Sequence, residues 1–273
     1  MSPRRLQRLR EPPRCAAHGF TLVELMVTVA IALFLIGGLL TIVQNVRSAF
    51  TNQQSLGQLQ DEQRFALVVL TDVIQAGGYY PSPQNANLWQ PSTALPAAAL
   101  LAGALGGTPG FQAGQAFTGL HVAGQADTLG VRYRTALNDG VLLCDGTTNT
   151  GINPDHDYMN QFWVVQPAAG VPGQLWCQVD ANAAVPLVDG VVGLAIFYGV
   201  KRDFAGNDYN VDTYLSADQM NAAGPNGGDW ANISSVRIQL TFTNPMFGQT
   251  PNQPATLTFE RIVQVMGRAG LHT

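Results

Sequence analysis

From Leu25 to Val43 the chain runs nineteen residues without a charged side chain. As an α-helix, at ~1.5 Å per residue, such a run covers ~28 Å, close to the ~30 Å hydrocarbon core of a bilayer. The pattern then changes without a break. Between Gln44 and Ala76 there is no proline and one glycine, Gly57, while Leu56, Leu59, Ala66, Leu70, Val73 and Ile74 recur at three- and four-residue steps. Gln53, Gln54, Gln58, Asp61, Glu62 and Arg64 take much of the opposite surface. Gly77-Gly78 and Pro81 supply a stop. The pattern therefore predicts one helix from Phe20 to Ala76, roughly 85 Å long if unbroken. Its first half is apolar all round and its second half amphipathic. Gly37-Gly38, inside the apolar half, admits two readings: close packing against another helix, or a point of local melting.

Beyond the helix, residues 78–117 form a Pro-, Ala- and Gly-rich connector, broken by Pro81, Pro83, Pro91, Pro96 and Pro109. Two helical turns are expected across 97–105. From about 118 the period falls to two, and strands are expected at 128–134, 141–144, 159–166, 174–179, 191–199, 235–243 and 256–266. The clearest alternation sets Val236, Ile238, Leu240 and Phe242 against Arg237, Gln239, Thr241 and Thr243. The apolar set makes a sheet face on which the amphipathic half of the helix can be buried. The fold class is α+β, a long helix on an antiparallel β head at 118–273.

Charge sharpens the picture at the front of the chain. Of 14 basic residues, 13 are Arg, and five of them (Arg4, Arg5, Arg8, Arg10, Arg14) precede the apolar run. The basic flank marks the cytoplasmic side, so the rest of the chain is expected to face outward. A secretory signal peptide would end in a small-residue cleavage site, but Gly37-Gly38 is followed by Leu39, Leu40, Ile42 and Val43. A membrane-retained helix is the better reading. Glu24 is then costly, because an unpaired carboxylate at a spanning helix loses ~2–3 kcal/mol or more. Two readings stay open: an interfacial acid favoured by the helix dipole, or an acid awaiting a positive charge from another molecule.

The order of these features resembles the type III signal of type IV pilins and pseudopilins. A basic leader, Gly19-Phe20, three further residues, Glu24 and the apolar run occur here in sequence. The resemblance implies a leader at 1–19 removed after Gly19 by the prepilin peptidase, and methylation of the new amino terminus on Phe20. It further implies a helix at 20–77, spanning the inner membrane at about 20–43, and pairing of Glu24 with a neighbouring subunit's amino terminus during assembly. The carboxy-terminal half resembles the PilW-type minor pilins in the order of Cys144 to Gly146, Cys177, Pro186 to Val191, Phe197-Tyr198-Gly199, an Asp/Asn/Gly-rich loop at 203–212, Trp230 and Val236-Arg237.

Of three cysteines, Cys15 falls in the leader, leaving Cys144 and Cys177. Both are expected outside the cytoplasm, where disulfides persist, and their apolar neighbours suggest a bridge between adjacent strands. Asp203, Asn207, Asp208, Asn210 and Asp212 crowd oxygen ligands as calcium loops do. Neither Asp203 nor Asp208 starts a complete loop motif, and Asn and Asp are ordinary turn residues. A plain loop is the stronger expectation. His18, His121, His156 and His272 have no metal spacing, and His156, between two Asp, reads as a solvated turn. Trp89, Trp163, Trp176, Trp230 and Tyr79-Tyr80 are read as core anchors before carbohydrate or DNA platforms.

A net charge of −4 argues against a protein that coats nucleic acid, and the resemblance points away from an enzyme; no cofactor is expected. It implies a minor pilin that primes or caps the pilus tip, supporting motility, adhesion or DNA uptake. The implied partners are other minor pilins, the major pilin and a tip adhesin. A minor pseudopilin of type II secretion is the neighbouring reading. A single-pass receptor or enzyme with a ligand-binding head is the reading from another class.

Overall fold

A computed structural model describes residues 19–81, 95, 98, 110–151, 155–166, 171–202, 211–222, 228–249 and 252–266. The chain divides into two compact units, Met1–Thr51 and Asn52–Thr273. Helix α1 runs from Leu22 to Ala76. Its start is written in Thr21-Leu22-Val23-Glu24: the Thr21 hydroxyl accepts from Glu24 N at 3.3 Å and Thr21 O from Leu25 N at 3.2 Å. This is the side-chain capping expected of a Thr just outside the first turn.

In the first unit the large apolar side chains of α1 are exposed, from Leu22 through Phe50. α1 is long and apolar enough to cross a membrane. The threonines along it are satisfied internally: Thr28 Oγ1 donates to Leu25 O at 2.9 Å and Thr41 Oγ1 to Gly37 O at 3.0 Å. Such back-bonding lets a hydroxyl enter hydrocarbon without losing a partner. The helix is unbroken through Gly37-Gly38.

In the second unit Leu59, Ala66, Leu67, Leu70, Thr71, Val73 and Ile74 are buried. The apolar ones among them share one core cluster with both sheets described below. Leu56, expected on the same stripe, is only half-buried. The helix stops where Gly77 N bonds back to Ile74 O and Gly78 turns to φ +77°. A left-handed residue here favours glycine. Gly78 N then donates to Arg132 O at 3.0 Å and Arg134 N to Tyr79 O at 2.8 Å, so the helix exit is fastened to the head.

The head holds two antiparallel sheets. The first contains β1 (Phe117–Leu120), β2 (Thr128–Ala136), β3 (Asp155–Val165), β4 (Gln174–Val179) and β5 (Val185–Asp189), paired in chain order. The second contains β6 (Val191–Val200), β7 (Thr213–Leu215), β8 (Ile233–Thr243) and β9 (Thr256–Gln264), in the order β7-β6-β8-β9. Val236, Ile238, Leu240 and Phe242 of β8 are fully buried, and Leu240 and Ile238 stand opposite Leu194 and Ile196 of β6.

Three short strands escaped the alternation pattern. β1 and β7 have four and three residues, too few to show a period. β5 carries Pro186, which reads as a loop but is tolerated on the edge strand it forms. The strand expected at 141–144 is instead a loop with a single Leu142–Thr148 bridge. Asn138, Gly140 and Gly146 have positive φ, and Asp139 accepts from both Ala136 N and Val141 N. Turn chemistry on both sides leaves the four apolar residues no room for a ladder.

The opposite error occurs at 155–158, where a turn was expected around His156 but β3 already runs. Arg134 of β2, opposite Asp157, grips its carboxylate through two nitrogens. Asp180 Oδ2 lies 3.1 Å from His156 Nε2. These cross-strand partners turn three polar residues into strand. The helical turns expected at 97–105 fall outside the described residues, except Ala98, which bridges Phe111.

Polar links join the sheets. Asp127, almost fully buried, accepts from Ile196 N of β6 at 2.7 Å, while its own N donates to Leu194 O at 2.7 Å. His121 Nδ1 lies 2.7 Å from its other oxygen. Burial pushes the Asp127 carboxyl above its ordinary range, against the lowering effect of these hydrogen bonds. Tyr198 of β6 reaches Thr118 O with its hydroxyl, at 3.3 Å. A side chain at Gly119 would occupy the place of that hydroxyl.

Candidate functional site

The residues singled out at the amino terminus are Gly19, Phe20 and Glu24. All three are exposed, and Phe20 precedes the Thr21 cap by one residue. Glu24 sits in the first turn of α1, where the dipole favours an acid. Its carboxylate makes no hydrogen bond or ion pair with any described residue. Around it Leu22, Val23, Leu25, Met26 and Val27 are exposed apolar side chains. The acid thus stands in a surface suited to hydrocarbon, without a partner among the described residues. The leader residues Arg4, Arg5, Arg8, Arg10, Arg14, Cys15 and His18 lie outside the described residues.

Cys144 and Cys177 are joined in a disulfide with a Cα–Cα separation of 6.1 Å. It does not bridge two adjacent strands: Cys177 lies in β4, whereas Cys144 lies in the 137–151 loop. Both are buried, with Cys177 opposite Phe162 on the core face of the first sheet. Other bonds pin the same loop. Asn160 Oδ1 accepts from Cys144 N at 2.8 Å, Tyr133 donates to Leu142 O at 2.7 Å, and Asn149 donates to Thr135 O at 3.1 Å. Burial raises the Tyr133 hydroxyl well above its ordinary value, keeping it a donor. With a sequence separation of 33, closing this loop stabilises the fold by roughly 3–4 kcal/mol in the chain-entropy picture. Replacing both cysteines by serine is expected to lower unfolding free energy by that amount in a urea titration, without removing secondary structure.

Of the oxygen-rich loop, Asp203, Asn207, Asp208 and Asn210 lie outside the described residues. Asp212 is described: its carboxylate accepts from Arg202 N at 2.8 Å, closing the β6–β7 connection as a turn residue does. No group of three His, Cys, Asp or Glu suited to a metal occurs among the described residues. Trp163 and Trp176 stack at 6.5 Å across β3 and β4, half-buried, and Trp230 packs edge-on to Tyr198. An open cleft of about 460 Å³ lies between Ser55, Gln58, Leu59 and Glu62 of α1 and the segment around Asp189-Gly190 and Thr243.

Sequence reasoning passed over Arg132. This side chain is fully buried on β2 and donates to Gln115 O at 2.7 Å, Gln112 O at 3.1 Å and Leu95 O at 3.3 Å. Its guanidinium lies 4.9 Å from the centre of the Phe111 ring. Burial lowers its pKa to about 10, so it remains charged at neutral pH. Position 132 continues the alternation of β2 on the face away from Val131 and Tyr133, and in isolation it reads as solvent-exposed. Only the segment laid across that face makes it structural.

Comparison with known families adds two matches. Residues 161–263 match PilW, the type IV pilus-assembly protein W. Residues 14–40 match the prokaryotic N-terminal methylation motif. The first match spans β4 through β8 but begins after Cys144–Gly146, which the sequence resemblance had included. No curated protein matches the chain. Both matched families are pilin structural proteins, and the motif at 14–40 lies over the start of the one helix among the described residues that is long and apolar enough to cross a membrane. With the long helix and antiparallel head, these matches support a PilW-type, type IV pilin-like protein.

Proposed function

We propose that this protein is a minor pilin of the type IV pilus, processed by the prepilin peptidase and incorporated in, or priming, the pilus tip. The carrying observation is the methylation motif and the PilW match on one chain, joined by a helix whose apolar half is wholly exposed. In this reading the precursor spans the inner membrane once, with its head in the periplasm. Cleavage after Gly19 frees the amino group of Phe20, which is then methylated. Residues 20–77 supply the helix for the fibre, 78–117 the connector and 118–273 the head.

Physical chemistry supports the sequence of steps. Before cleavage, the basic leader holds the amino end on the cytoplasmic side. After cleavage, an ammonium stands four residues before the Glu24 carboxylate. On one chain the cap at Thr21 holds Glu24 in the helix. A staggered neighbour can bring its own ammonium to that acid, and the two buried charges then neutralise each other. The head takes no catalytic part and acts as a rigid, disulfide-bonded surface for other minor pilins, the major pilin and a tip adhesin. Motility, adhesion and DNA uptake are the uses this placement serves.

The test is the mature amino terminus. Intact-mass analysis of wild-type protein from its native membrane is expected to show a chain beginning at methylated Phe20. Gly19→Glu is expected to leave the leader attached and to remove the protein from the fibre fraction. Retention of Met1 in the wild type, or normal processing of the variant, would overturn the assignment.

A further inference from the structure

On the outer face of the second sheet, Arg237 of β8 stands opposite Phe197 of β6 and Ile262 of β9. Its guanidinium lies 4.5 Å from the centre of the Phe197 ring and 5.0 Å from that of Tyr214 on β7. Tyr214 is itself held, its hydroxyl 3.0 Å from Ser235 Oγ. Arg237 Nε is buried without a hydrogen-bond partner. The nearest acid by register, Glu260, is one row further along β9. It accepts from Gln239 Nε2 at 2.6 Å and forms no ion pair with Arg237. Beside the arginine, Ile262 is 56% exposed and supplies an apolar surface next to the cation.

We propose that Arg237, flanked by Phe197, Tyr214 and Ile262, is a preformed receptor for one carboxylate side chain of a different protein. The two rings attract the cation and limit its rotamers, so little conformational freedom remains to be lost on binding. A planar guanidinium with no carboxylate partner among the described residues can grip an acid with two parallel bonds. Aromatic residues and arginine around an apolar spot are the composition of interface centres. Charge identifies the occupant. With residues 1–19 removed, five Arg and one Glu are lost, leaving 9 basic against 17 acidic side chains. Two copies of such a chain repel, which disfavours self-association. Glu260, nearby on the same face, repels a densely acidic partner, so a single acid beside an apolar side chain fits best.

The experiment uses the full chain in its native membrane, with photoreactive benzoylphenylalanine at Ile262. Illumination is expected to yield an adduct with a different protein, mapped to a segment containing Asp or Glu. Arg237→Gln is expected to lower adduct yield at least tenfold, with chain level and disulfide unchanged. Arg237→Glu is expected to regain yield when the mapped acid is changed to Arg. An adduct with a second copy, an adduct indifferent to position 237, or no adduct from oxidised chain would overturn the proposal. An Arg237-dependent adduct with a protein that is neither a pilin nor a tip adhesin would support the receptor while counting against the fibre assignment.

Discussion

Arg132→Ala is expected to destabilise the head by about 4 kcal/mol or more. Buried carbonyls left without a donor cost ~1–3 kcal/mol each, and Gln112 O and Leu95 O accept from Arg132 in the native fold. Gln112 O and Leu95 O retain Gln115 N and Gly114 N as donors, so their losses are the smaller. Gln115 O, which accepts from both Nε and Nη2 of Arg132, keeps no other side-chain donor. Phe111 loses the cation over its ring, and the space vacated adds a cavity penalty. In a unit of this size, ~4 kcal/mol corresponds to a melting-point fall on the order of 10 °C. Arg132→Met separates the contributions: it refills volume without restoring donors and is expected to recover less than half of the loss. Thermal unfolding of the detergent-solubilised chain decides the matter. A shift under ~2 °C for Arg132→Ala would show that the 110–117 segment is held by other means.

Glu24→Ala is expected to leave leader removal intact while fibre incorporation collapses. In the proposed processing the peptidase acts at the Gly19–Phe20 junction, upstream of position 24, and alanine preserves the helix. In the proposed fibre, removing the acid leaves a neighbour's ammonium buried without a partner, at a cost of ~3–5 kcal/mol. That is a factor on the order of 10²–10³ in docking. Immunoblots of sheared fibres are expected to lose the protein, while membrane fractions hold it at the mature mass. Wild-type amounts in fibres would remove the ion pair from the mechanism and leave Glu24 as an interfacial acid at a helix start.

These two residues mark opposite ends of what a linear reading can reach. The anchoring helix is legible because its determinants are local: an uncharged run, a Thr cap, a glycine pair at the stop. β8 is legible because a face buried on one side imposes a period of two. The loop at 141–144 was misread because four apolar residues look alike in a strand and in a disulfide-tethered loop. The start of β3 was missed because Asp155-His156-Asp157 becomes strand only when Arg134 and Asp180 arrive from elsewhere.

Sequence by itself determined the elements and chemistry that depend on near neighbours. These include the membrane-suited helix, the order of leader, junction and acid, and the candidate cysteines. Tertiary structure alone decided the division of the strands into two sheets and the placing of Cys144 in a loop. It also decided the burial of Arg132 under a returning segment and the half-burial of Arg237 against two rings. The physical reason is the same in each case. A side chain's role is set by what covers it, and the covering groups here come from strands and loops distant in sequence, which periodicity cannot pair.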